Sequence, residues 1–260
     1  MADPFDMSGR VVIVTGGSRG LGRGLTAGFL ERGADVVICG RREPESPVAA
    51  AGREALFVAA DVRRPDDVQA VVDAATGRYG RLDVLVNNAG GSPPADTATA
   101  SPNFSRAIIE LNLLAPLVFS QAANAVMQAQ ATGGSIVNIG SLSGVRPSPH
   151  TAAYGAAKAG LLNLTETMAQ EFAPKVRVNA LVLGYVRTEQ ADLFYGDEEG
   201  IAAVGATLPM GRMAEASDVG DLCAFLVSPL ASYLTGASIA VHGGGEQPPY
   251  LRAASGTREP

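Results

Sequence analysis

Cysteine, net positive charge and long apolar runs are all scarce in this chain, and each scarcity removes a class of function. Only 2 cysteines occur among 260 residues. Cys39 falls in an expected strand and Cys223 in an expected helix, without metal-ligand or redox spacing. Neither a disulfide framework nor a metal centre is therefore expected. The 20 Lys and Arg are outnumbered by 26 Asp and Glu, for a formal charge of −6. That balance gives no electrostatic case for nucleic acid or an anionic membrane. No apolar run approaches the ~20 residues of a membrane span. Met1–Arg10 holds acids and a proline but neither the basic nor the apolar stretch of a secretory leader, so the cytoplasm is the expected location.

What the chain does have is apolar residues, 47% of the total, in strand-like runs that alternate with helical patterns almost to the end. Strand-like runs at Val11–Val14, Asp35–Cys39, Ala55–Ala59, Leu82–Val86, Gly134–Ile139, Val176–Leu183 and Ser238–Val241 are separated by helical patterns. The helices are expected at 23–32, 65–79, 101–130, 151–172 and 217–227. Continuous Val/Ile/Leu strands between helices predict a parallel sheet buried on both faces. Right-handed crossovers then give a doubly wound α/β fold of about seven strands. With no composition break, residues 1–260 form a single domain. The connection 184–209 reads as a lid carrying Leu193, Phe194 and Tyr195, and 247–260 reads as a mobile tail.

The first strand runs into Thr15-Gly16-Gly17-Ser18-Arg19-Gly20-Leu21-Gly22 and then a helix. A Gly-rich turn there points backbone N–H groups at a helix N-terminus, where they can hold a phosphate or pyrophosphate. Its T-G-x-x-x-G-x-G spacing is one residue longer than the ordinary dinucleotide fingerprint. Tyr154 and Lys158 lie four apart on a helical stretch and share a face. A nearby ammonium is expected to lower the phenol's pKa and make Tyr154 an acid/base near neutrality. Ser141 follows a strand at the sheet edge where open α/β folds bind ligands. Ser143 is an equal candidate on local chemistry alone.

Taken together, Thr15–Gly22, Asn87-Asn88-Ala89-Gly90, Ser141 and Tyr154-x-x-x-Lys158 resemble the short-chain dehydrogenase/reductase family, in its single-domain subgroup. The likeness spans roughly Ser8 to Gly245. It implies Tyr154 as proton donor or base, Lys158 on the nicotinamide ribose, and Ser141 orienting the substrate oxygen, with Ser143 left as loop or pocket wall. Asn112 matches the helix asparagine that anchors a relay water. For the cofactor it implies Gly16, Ser18, Arg19, Gly20, Leu21, Gly22, Asn88, Ala89, Gly90, Gly184, Val186 and Thr188. Asp61 and Val62 match the pair at adenine, and Asn87 braces its strand. Gly40 stands where an acid would bind the ribose of NAD, and Arg41 follows it. With Arg19 in the loop, NADP(H) is favoured and NAD(H) is the alternative. Leu183-Gly184 departs from the family's usual Pro-Gly and frees a backbone N–H beside the nicotinamide.

The resemblance thus implies a ketone/secondary-alcohol oxidoreductase on a small molecule, with a 3-oxoacyl thioester as the leading specific substrate. An NAD(H)-dependent alcohol or steroid dehydrogenase is the alternative within the family, and a non-catalytic cofactor sensor the alternative of another class. A dehydratase, epimerase or decarboxylase on the same scaffold is a third. Arg106, Arg146 and Arg187 are the basic residues from which a patch for an acidic carrier would be built. A homotetramer is implied by likeness alone.

Overall fold

The protein is described here from a computed structural model covering residues 3–189, 191–248 and 250, with only the backbone of 193 and 194 described. Leu193 and Phe194 as lid side chains, and the tail beyond Tyr250, lie outside the described residues.

Seven parallel strands form one sheet in the order β5-β2-β1-β6-β7-β8-β9. β1 (Val11–Thr15) is buried at all five positions and β2 (Asp35–Gly40) at its four central ones, as β-branched runs covered on both faces require. β5 (Leu56–Ala59), β6 (Val84–Asn87), β7 (Gly134–Ser141), β8 (Val176–Leu183) and β9 (Ser238–Val241) complete the sheet. On one face, α1 (Gly20–Glu31) and α8 (Ala216–Val227) pack through Leu25, Phe29, Val219 and Leu226. On the other, α2 (Pro65–Tyr79), α4 (Ala115–Ala129) and α5 (Ala152–Phe172) pack through Val71, Phe119, Met127 and Met168. Because the chain winds outward from β1 in one direction and returns to β6 in the other, the topological switch lies between β1 and β6. Ligands of such sheets bind at the strands' C-terminal ends beside that switch.

Several boundaries differ from the sequence expectation, each for a local reason. α1 begins at Gly20 rather than Arg23, because the glycine turn itself forms the first helical turn. β6 starts at Val84 rather than Leu82, since the Leu82 N–H is held by Gln130 Oε1 at 2.8 Å instead of by the ladder. The helix expected over 101–130 is three pieces: α3 (Pro102–Ile109), a π-helical turn (Glu110–Leu114) and α4. Taken as one stretch, Pro102–Ala129 has the length to cross a membrane, and an 18-residue window within it has a mean hydropathy of 1.2. It is not a continuous apolar run, since Asn103, Arg106, Glu110, Asn112 and Gln121 interrupt it. Its buried stripe, Ala115, Phe119, Ala123 and Met127, packs in the sheet core, which accounts for the apolar composition.

A two-stranded hairpin, β3 (Ala49–Ala50) with β4 (Arg53–Glu54), was not expected; two-residue strands carry no readable periodicity. Within 184–209 the chain forms α6 (Asp192–Tyr195) and α7 (Glu198–Gly205), not an open loop. Ala191, Ile201 and Met213 form its small core, with Tyr185, Tyr195 and Val204 against them. Both cysteines are free and buried, and burial pushes each thiol up to about 12.

Candidate active site

The Gly-rich turn is fastened to the β6 exit by Thr15. Its hydroxyl accepts the N–H groups of Asn88 and Ala89, both at 2.9 Å, while Asn88 Nδ2 donates to the Thr15 carbonyl at 2.8 Å. Three glycines in the turn are obligatory on geometry, Gly20 among them at φ +55°. Gly16 has φ +65°, and a Cβ on Gly22 would lie 2.2 Å from the Gly16 carbonyl oxygen. Beneath the turn, the buried Thr26 hydroxyl donates to the Gly22 carbonyl at 2.8 Å. The result is a rigid, backbone-lined cradle at the N-terminus of α1.

That cradle already attracts an anion: the Glu189 carboxylate accepts the Gly20 N–H. A side chain from the segment after β8 therefore stands where a phosphate would sit, as expected of the positive end of a helix. Gly40, at the end of β2, faces Ser18, whose Oγ would be 3.4 Å from a Cβ built there. Arg19 and Arg41 are exposed beside it. The positive charge of Arg41 also reaches Asp61, whose carboxyl is held down at about 2, chiefly by its hydrogen bonds from Arg63. Val62 is buried at the same edge.

Beyond the switch, Asn112 is fully buried on the π turn. Its Oδ1 accepts the Gly91 N–H at 2.8 Å, and its Nδ2 donates to the carbonyls of Gly91 and Ile108 at 3.0 and 2.9 Å. One amide hydrogen and Oδ1 therefore fix the loop that carries Asn88, Ala89 and Gly90, and the other amide hydrogen ties the side chain to its own helix at Ile108. A Cβ on Gly90 would lie 2.7 Å from Asn112 Oδ1 and 3.4 Å from Lys158 Nζ, so this glycine is the point where loop, π turn and α5 meet. Asn87 faces away from this meeting point, donating to Asn138 Oδ1 at 2.8 Å and Ser120 Oγ at 3.0 Å, which makes it a brace between β6, β7 and α4.

Ser141 ends β7, and its Oγ accepts the Ser143 N–H at 3.2 Å. Ser143 itself is paired with Ser148 at 3.0 Å, leaving it in the loop wall. Opposite Ser141 lie Tyr154 and Lys158 of α5, with Lys158 Nζ 5.7 Å from the centre of the Tyr154 ring. The ammonium donates to the Ile139 carbonyl at 2.7 Å and is 3% exposed. Burial drops its pKa to about 8.

The expectation that Lys158 would lower the Tyr154 pKa does not hold in this arrangement. Burial of the ring dominates and raises it; a hydrogen bond from Ser141 lowers it, and the nearby Tyr195 adds to the rise. The reason is geometric, because the ammonium is turned to a backbone carbonyl rather than to the phenol oxygen.

Gly184 follows β8, its N–H on the Val241 carbonyl at 3.0 Å. Leu183 is buried and registers with both Ser141 and Val241, so leucine prolongs strand pairing up to the site. Val186 bridges to Ala214, and the Thr188 carbonyl accepts the Ala191 N–H at 3.0 Å. The three arginines considered for a basic patch are each engaged locally: Arg106 with Asn103, Arg146 with Glu246 and Arg187 with Glu198.

A family model described as enoyl-(acyl carrier protein) reductase matches residues 16–246. The Escherichia coli K12 2-dehydro-3-deoxy-D-gluconate 5-dehydrogenase is 35% identical over 244 residues, covering 92% of this chain and 96% of that one. The cis-4-hydroxycyclohexanecarboxylate dehydrogenase of Sinomonas cyclohexanicum is 38% identical over 241 residues, covering 90% and 96%. The chain belongs to the short-chain dehydrogenase/reductase family. Ligand-free aldohexose dehydrogenase from Thermoplasma acidophilum superimposes with a TM-score of 0.85 at 31% identity, over 98% of both chains. This short-chain dehydrogenase/reductase is accordingly an NAD(P)-dependent oxidoreductase acting on alcohol or ketone substrates.

The residues present fit a dinucleotide. The cradle is lined by backbone, closed to any Cβ at Gly22, and already holds a carboxylate at the helix end. Tyr185 was visible in the sequence as an aromatic of the 184–209 segment, whereas Glu189 and Glu246 were not singled out. Thr15 was legible as the start of the motif. Glu189 and Glu246 carried no signal, because long-range pairing of single carboxylates leaves no local pattern.

Proposed function

We propose that this enzyme interconverts a ketone and a secondary alcohol using NADP(H), with Tyr154 as the proton-transferring group. The observation that carries the reading is the convergence of Ser141, Tyr154 and Lys158 with the Gly-rich cradle at one sheet edge. In reduction, the Tyr154 hydroxyl gives its proton to the substrate oxygen while Ser141 Oγ hydrogen-bonds the same oxygen. In oxidation Tyr154 takes the proton back. Lys158 would hold the ribose hydroxyls through its ammonium, and Gly184, Val186 and Thr188 would border the nicotinamide. When bound, that ring donates or accepts the hydride at the substrate carbon. A water anchored at the π turn that carries Asn112 would link Lys158 to solvent.

The preference for NADP(H) is supported by Gly40 in place of an acid, next to Ser18 and flanked by Arg19 and Arg41. Arg41→Ala is expected to raise the KM for NADPH about tenfold or more, the worth of a charge-assisted contact to phosphate, and the KM for NADH much less. Equal losses with both cofactors contradict the assignment. Within this reading the 3-oxoacyl thioester is one candidate substrate; the relatives named for a sugar acid and a cyclic hydroxy acid support a compact one. A cytoplasmic homotetramer belongs to the same reading, supported by two free cysteines and by the exposed apolar side chains of Leu114, Leu230 and Tyr233.

A further inference from the structure

One charged cluster beside the site has no part in proton transfer. Arg146 lies one turn beyond Ser141, its N–H on the Leu142 carbonyl at 3.0 Å. Its Nη2 donates to the Glu246 carboxylate, and the same carboxylate oxygen accepts the Tyr185 hydroxyl. Tyr185 meets Tyr195 edge-on, with ring centres 5.9 Å apart, and Tyr195 acts electrostatically on Tyr154. The cluster therefore flanks the proton-transferring phenol. Arg146 Nε is buried and has no hydrogen-bond partner among the described residues, so this guanidinium is not saturated by the Glu246 pair.

We propose that Arg146 and Tyr185 are the specificity-determining pair for a substrate that carries a carboxylate away from its reacting carbonyl, and that Glu246 is the internal stand-in for that carboxylate. The inference rests on the reading of Tyr154 as the proton-transfer group. Three observations support it. Arg146 and Glu246 side chains are 34% and 33% exposed, so a ligand can reach them. The Tyr185 phenol is pushed up to about 12 by burial and by the Glu246 carboxylate, which keeps its O–H a donor to anions. Glu246 follows Gly243, Gly244 and Gly245, at φ +60°, +93° and +79°, a left-handed run that only glycine adopts readily and that sets the carboxylate against Arg146 and Tyr185. A substrate carboxylate would accept from Tyr185 Oη and the exposed Nη edge of the guanidinium that Glu246 now holds, so the exchange conserves charge.

The test compares a cyclic keto acid with its neutral methyl ester in the wild type, Arg146→Gln and Glu246→Gln. The acid-over-ester preference in kcat/KM is expected to fall roughly tenfold in Arg146→Gln, as loss of a charge-assisted pair requires, and to rise severalfold in Glu246→Gln. An unchanged preference in both variants overturns the proposal. Calorimetric titration with cyclohexanecarboxylate reads the site without turnover: binding is expected in the wild type, tighter in Glu246→Gln and weaker in Arg146→Gln. Equal affinity in all three overturns the proposal even if neither ketone is reduced. If neither ketone is reduced but the titrations separate the variants, the carboxylate site stands and the reading of Tyr154 fails.

Discussion

At the scale of single residues, the environment of Lys158 sets a pH dependence. Its ammonium is buried against the Ile139 carbonyl and loses its proton near pH 8, whereas burial holds the Tyr154 phenol protonated beyond its ordinary range. Reduction needs both groups protonated, so kcat/KM for a ketone is expected to fall as pH rises through about 8. In Lys158→Arg, whose guanidinium stays charged, that limb is expected to move to higher pH whatever the residual rate. A wild-type profile that stays flat through that region contradicts the assignment. The identities of Tyr154, Lys158 and Ser141 were legible because helical spacing and motif order are local. Their electrostatics were not: whether the ammonium faces the phenol or a carbonyl is decided by how deeply α5 seats on β7, which no spacing rule encodes. Asp61 is similar, since the Arg63 contact that fixes its charge lies two residues away yet had no reason to stand out.

At the scale of elements, the N-terminus of α1 and the segment after β8 are coupled through Glu189. Its carboxylate accepts the Gly20 N–H at the helix end, in the place the dinucleotide phosphates need. Glu189→Gln removes a competing charge worth about 0.3–1 kcal/mol, so NADPH is expected to bind about two- to fivefold more tightly by fluorescence titration. Weaker binding would contradict the competition. The order of the seven sheet strands and their main covering helices was readable, because parallel sheets need continuous apolar runs and the helices that cover them need amphipathic ones. The exceptions have physical causes. The π turn at Glu110–Leu114 inserts one extra residue into a helix without changing its apolar pattern, and the turn is what seats Asn112 on Gly91. The helices α6 and α7 were hidden because they bury only a few side chains on their own small core.

At the scale of the whole molecule, two halves of the sheet contribute separate tasks to one edge. β1, β2 and β6 present the cradle and the Gly40–Arg41 end, while β7, β8 and α5 present Ser141, Gly184, Tyr154 and Lys158. The switch between β1 and β6 brings them together, and Thr15 and Asn112 lock the intervening loop to both sides. This division predicts that cofactor binding and proton transfer can be separated by a single atom. The most direct measurement follows ketone reduction and NADPH binding side by side in the wild type and Tyr154→Phe. The account predicts that kcat drops roughly a hundredfold to ten-thousandfold in the variant while its NADPH affinity stays within about threefold of the wild type. Reduction at an undiminished rate in Tyr154→Phe would contradict it.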